Sequence, residues 1–69
     1  MFLISMTRCA VLFDNEIPYV KEHDMIWINS DLVKTLERFR GVATDITLID
    51  NTTIRVVEDI DKFILKMHS

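Results

Sequence analysis

The stretch ITLIDNTTIRVVED, Ile46 to Asp59, limits what this chain can fold into more than any other. Four of its apolar positions, Ile46, Leu48, Ile54 and Val56, carry even numbers. Side chains on a strand alternate between faces, and residues directly opposite in an antiparallel pair share a face. The even residues of one arm can meet those of the other only across a loop of odd length. A two-residue turn at Asp50-Asn51 would set Leu48 opposite Thr53 and Ile46 opposite Arg55, with polar groups on the apolar face. A three-residue loop, Ile49-Asp50-Asn51, pairs Ile46 with Ile54 and Leu48 with Thr52. Such a loop ends on a left-handed residue, for which Asn51 is the best non-glycine choice. The loop Asp50-Asn51-Thr52 also satisfies parity, but β-branched Thr52 resists the left-handed region.

After this hairpin, Ile60, Phe63, Ile64 and Met67 recur at i, i+3, i+4 and i+7, which predicts an amphipathic helix from Asp59 to Met67. Asp59 can cap it. Glu58, Asp59 and Asp61 crowd its start and Lys62, Lys66 and His68 lie later, as the helix dipole favours. Upstream, Phe2 to Phe13 reads as a buried strand, although periodicity alone does not separate it from a buried helix. Asp14 to Asp24 holds the turn formers Asp14, Asn15 and Pro18, and Pro18 restricts any strand there to an edge. Met25 to Asn29 is a short second strand. Ser30 to Gly41 is ambiguous. Leu32, Val33, Leu36 and Phe39 fall at helical spacing, Ser30 can be the N-cap and Gly41 the C′ residue, so read alone it is a helix. The expected fold is α+β: one domain, residues 1–69, with a small antiparallel sheet and a C-terminal helix, residues 30–40 being helix or strand.

A chain of 69 residues leaves a lone core marginal, and apolar residues make up 49% of it. Together these favour a protein partner or self-association into a homo-oligomer. The net charge of −3 disfavours a strongly electrostatic nucleic-acid binder and leaves room for a local basic face. Cys9 is the only cysteine, so no intrachain disulfide forms and a reducing compartment, the cytoplasm, fits best. The opening MFLISMTRCAVLF has no basic leader region, Arg8 breaks its apolar run, and it falls short of the ~20 residues of a membrane span. Met6 offers a second candidate start.

Nothing in the chain has the pattern of a catalytic, cofactor or metal site. The acid pairs Glu22/Asp24 and Asp59/Asp61 sit in a polar turn and at a helix start, where solvation and capping account for them. His23 and His68 lack ligand spacing with Cys9, which reads as a buried inert thiol. No phosphate loop, nucleophile elbow or dinucleotide fingerprint is present. The chain therefore reads as non-enzymatic and without cofactor. Lys34, Arg38, Arg40 and Arg55 form the one suggestive basic set. They read either as a phosphate-contacting stripe or as a solvated face balanced by Asp31, Glu37 and Asp45. Trp27, flanked by Met25, Ile26 and Ile28, reads equally as an interface anchor and as core.

From Asn29 onward, INSDLVKTLE followed by TDITLIDNTTIRVVEDIDKFI resembles the small flagellar FlbD-like proteins, including their SwrD branch. Asn29, Asp31, Leu32, Leu36, Glu37, Thr44, Ile46, Thr47, Leu48, Val56, Glu58 and Ile64 match the family outline, and Asn51 stands at its turn glycine. The N-terminal half matches only at Thr7 and Arg8, and Asp14 to Asp24 would be an insertion. The resemblance implies a cytoplasmic bacterial accessory protein of flagellar motility, acting through protein contacts, with no enzymatic residues. It also implies that Leu32 to Phe39 is partly extended. The same half is similar to the last strands of LytTR-type DNA-binding domains, which implies a DNA-binding regulator as an alternative. A small phage or host adaptor that covers a host protein is a third.

Overall fold

The computed structural model describes residues 3–67. His68, counted above among the late cations of the helix, and Phe2, the expected start of the first strand, lie outside the described residues, as does the side chain of Met67. Five strands form one antiparallel sheet: β1 (Leu3–Asp14), β2 (Ile17–Asn29), β3 (Val33–Phe39), β4 (Ala43–Leu48) and β5 (Thr53–Val56). Their order across the sheet is β2-β1-β5-β4-β3. A helix, α1 (Ile60–Met67), closes the chain.

The β4–β5 hairpin adopts the register that parity demands. Ile46 pairs with Ile54, Thr44 with Val56 and Thr47 with Thr53. The loop is Ile49-Asp50-Asn51, closed by Leu48 N–H to the Thr52 carbonyl at 2.8 Å and by Asn51 N–H to the Leu48 carbonyl at 2.8 Å. Asn51 is left-handed, with φ 69°. Asp50 Oδ1 accepts from Thr52 N–H at 2.9 Å, which holds the Asp50 carboxyl below the usual carboxylate range. The even face so created carries the core. Ile46 and Val56 are fully buried, with Ile4 and Met6 of β1, Ile28 of β2 and Phe63 of α1 packed around them. Lys66 Nζ donates to the Ser5 carbonyl at 2.7 Å and ties the end of α1 to β1.

Residues 30–40 are not a helix. Ser30–Leu32 forms a single 3-10 turn, and Val33–Phe39 is an edge strand paired with β4. Asn29, not Ser30, caps the turn, its Oδ1 accepting from Asp31 N–H at 2.9 Å. The register shifts by one between Val33 and Thr35. That irregularity put Val33 and Leu36 three apart on the sheet's apolar side and imitated a helical period. Gly41 is no helix terminus. With Arg40 it supplies two left-handed residues, φ 56° and 73°, in the β3–β4 turn.

Asp14 to Asp24 is also more regular than its turn formers suggest. The turn is confined to Asn15 and Glu16, both left-handed, and β2 runs for 13 residues from Ile17. This is the type I′ geometry of a two-residue hairpin, with Asp14 opposite Ile17. Pro18 lies on β2, an edge strand as its missing N–H requires. Midway, β2 carries one extra residue, so that His23 and Asp24 together face Arg8 between the pairs Thr7–Met25 and Cys9–Glu22. Arg8 Nε donates to Asp24 Oδ1 at 2.7 Å across this bulge. Beyond it the hairpin runs on past its single pairing with β5, Arg8 to Val56, and contributes to an elongated shape of 42 × 25 × 19 Å.

Replacing Asn51 with Gly should leave stability unchanged or raise it by up to about 1 kcal/mol, because Gly enters the left-handed region without a Cβ penalty. Asn51→Val should cost about 1–2 kcal/mol in urea unfolding. Indifference to both would show that the turn does not set the register. A second expectation concerns acid. The Arg8 hydrogen bond holds Asp24 below the usual carboxylate range. A depressed folded pKa adds stability above the unfolded value and loses it as pH falls through the folded one. Asp24→Asn should therefore flatten the stability loss from about pH 4 downward, measured as the unfolding midpoint against pH.

Candidate functional site

Two surfaces could carry function: the outer face of the sheet, opposite α1, and a cleft beside the β3–β4 turn. Strand alternation builds the first. Ile26 and Ile28 of β2 pair with Met6 and Ile4 and so face the core. Met25 and Trp27 then point to the other side, opposite Thr7 and Ser5. Leu3 is the diagonal neighbour of Trp27 on that face. Trp27 is 65% exposed, Met25 66% and Leu3 54%. Trp27 is thus a surface residue, against its reading as core. The signal was in the text MIWIN: if its two isoleucines face inward, its Met and Trp cannot.

The basic set is dispersed. Lys34 Nζ donates to Asn51 Oδ1 at 3.1 Å beside the β4–β5 loop. Arg38 lies at the start of α1, with Nε 3.2 Å from Asp59 Oδ1 and an outer nitrogen 3.9 Å from Asp61. Arg55 forms a two-bond pair with Asp45 at 2.7 and 3.1 Å and lies 3.7 Å over the Phe39 ring. Arg40 sits 5.5 Å from the Phe13 ring centre and 5.7 Å from that of Phe39. On the outer face, then, Arg55, Phe39, Arg40 and Phe13 make a cation–aromatic cluster that links the first hairpin to β3. Contacts of this kind contribute about 0.5–2 kcal/mol each. Asp45 was foreseen as a balancing charge; Asp59 and Asp61, which neutralise Arg38, were not, because they come from the far end of the chain. Cys9 is buried, and that burial raises its thiol pKa, as an inert thiol requires.

The cleft has a volume of about 260 Å³ and is lined by Arg38, Gly41, Val42, Ala43, Thr44, Val57 and Asp59. It is smaller than most ligand pockets, and the carboxylates of Asp59 and Asp61 already engage its one cation, Arg38. Thr44 is 1% exposed, and its hydroxyl has no hydrogen-bond partner. Among the described residues, no three of His, Cys, Asp and Glu come together as a metal cluster. No described helix is long and apolar enough to cross a membrane. Comparison of the chain with protein-family models, curated proteins and solved structures returns no match.

An unpartnered buried hydroxyl costs about 1–3 kcal/mol. Thr44→Val, nearly the same shape, should therefore stabilise the fold by about 1 kcal/mol in denaturant unfolding. A loss of stability would show that the hydroxyl has a partner and that the cleft is more than a packing gap.

Proposed function

We propose that this protein is a non-enzymatic bacterial accessory protein, FlbD-like, that acts in the cytoplasm in flagellar motility through protein–protein contacts. The observation that carries the reading is Trp27, 65% exposed beside Met25 on an edge strand whose outer flank is unpaired. Tryptophan is the side chain most enriched at the energetic centres of interfaces, and an open strand edge adds backbone hydrogen bonds to whatever binds beside it. The extended Val33–Phe39 agrees with the conformation the flagellar resemblance implies. A LytTR-like DNA-binding role draws less support. Arg38 and Arg55 are paired with carboxylates, and Lys34, Arg38 and Arg40 do not form one continuous stripe. The adaptor alternative would use the same apolar stripe on a different partner.

The test is a comparison of three strains: wild type, deletion and chromosomal Trp27→Ala. Trp27 is exposed, so its replacement should leave the protein's abundance unchanged. Both altered strains should lose swimming or swarming. Normal motility in the deletion strain would remove the flagellar reading. A motile Trp27→Ala strain beside a non-motile deletion would remove the outer face as the contact surface.

A further inference from the structure

The open edge of β2 is built to pair with itself. We propose that two copies of this chain associate antiparallel through β2, around a two-fold axis at Trp27, to give one continuous sheet. This rests on the reading above that the Trp27 face makes protein contacts, and it names the partner as a second copy.

Three observations lead there. The first is the contrast between the two sheet edges. The outer strand β3, VKTLERF, interleaves Lys34, Glu37 and Arg38 along its length, the charged pattern that keeps an edge from pairing. On β2 the charged and histidine residues end at Asp24, and Met25 to Asn29 is an uncharged run of five residues on an unpaired edge. The second is register. Facing residues of a two-fold antiparallel pair must lie on the same side of the sheet, so their numbers have an even sum. With the axis at Met25, His23 would face Trp27 and Asp24 would face Ile26. With the axis at Ile26, Asp24 would face Ile28. With the axis at Trp27, Met25 faces Asn29, Ile26 faces Ile28 and Trp27 faces Trp27, so the uncharged run pairs entirely with itself. The core sides of the two sheets then join through Ile26 and Ile28, and the outer sides through the two Trp27–Met25 stripes.

The third is area. Leu3, Met25 and Trp27 are each more than half exposed and leave roughly 400 Å² of apolar surface open, within the range of the largest patch on a typical monomer, which is often functional. A stable pair covers about 800 Å² on each partner, about a sixth of this chain's 4794 Å². Side-by-side pairing draws that area from the Met25–Asn29 backbone edge and the facing flanks of Met25, Ile26, Trp27 and Ile28, while Leu3, one strand further in, stays on the open face. An isologous pair uses the same strand on both copies, so one uncharged edge serves both.

Sedimentation equilibrium of the purified chain from micromolar to millimolar concentration should give twice the chain mass at the upper end. Trp27→Lys should return the mass to one chain. Leu65→Lys, on an exposed position of α1, should leave the pair intact. Register is read by disulfide formation in a Cys9→Ala background. Chains with Met25→Cys mixed with chains with Asn29→Cys should cross-link to each other, while Met25→Cys alone should not, because like positions would lie about 13 Å apart along the strand. One-chain mass for the wild type at every concentration would overturn the proposal, as would cross-linking of Met25→Cys to itself. The two readings fail separately. If a photo-reactive side chain in place of Met25 captures one different protein in cells while the wild type is monomeric, self-pairing is wrong and the contact face stands. If neither a second copy nor another protein is captured there, both fall.

Discussion

The three-residue loop at Ile49-Asp50-Asn51 is the constraint on which the sheet depends. An even-length loop would slide β5 by one residue and turn Ile54 and Val56 to the side now held by Arg55 and Thr53. Val56 and Ile46 are the buried centre against which Ile4, Met6, Ile28 and Phe63 pack. Losing either would cost about 2–5 kcal/mol at a single site, a large share of the stability of a 69-residue domain. The register also fixes the other face. It brings Asp45 opposite Arg55, so one turn decides both the apolar contacts and the half-buried ion pair.

With a single glycine, the chain bends by placing ordinary residues in the left-handed region: Asn15, Glu16, Arg40 and Asn51. Asn tolerates this well; Glu16 and Arg40 do so at a cost of about 1–2 kcal/mol each. Arg40 obtains compensation from the rings of Phe13 and Phe39, whose faces it meets because its backbone is reversed. Glu16 has no such compensation on view, and its strain is carried by the long β1–β2 ladder behind it.

This explains which parts of the fold were legible in the sequence. Parity and turn chemistry are local, and they determined the β4–β5 register down to the left-handed Asn51. The terminal helix was legible from the spacing of Ile60, Phe63, Ile64 and Met67, although of these Phe63 enters the core and Ile64 stays exposed. Residues 30–40 misled because a register shift at Val33–Thr35 breaks strict alternation, and a broken period of two resembles a period of 3.6. The turn formers at Asp14–Asp24 misled for a related reason. A bulge at His23–Asp24 and a proline on an edge strand are irregularities that a strand absorbs, and nothing nearby in sequence reveals that Arg8 will hold the bulge. The charge pairing of Arg38 was invisible because it depends on where α1 lands. Trp27 was readable from alternation alone, once Ile26 and Ile28 are taken as the inward pair.

The sheet therefore has one face finished and one only partly so. On the α1 side, the helix and the even residues close a core. On the outer side, the cation–aromatic cluster at Phe39 covers the β3–β4 end, and Phe13 reaches it from the first hairpin. At the β2 end, Leu3, Met25 and Trp27 stay more than half exposed. The long β2 strand could have been guarded as β3 is, by alternating charges. Its charges are instead concentrated before Met25, where Asp24 is engaged by Arg8 at the bulge. The bulge separates a charged, protruding half of the strand from an uncharged half backed by the core. An uncharged, apolar edge is the kind that pairs, and an edge interrupted by a bulge pairs only up to it. The same device that bends the hairpin thus also sets the length of the open edge, and with it the five-residue run on which any partner strand would have to align.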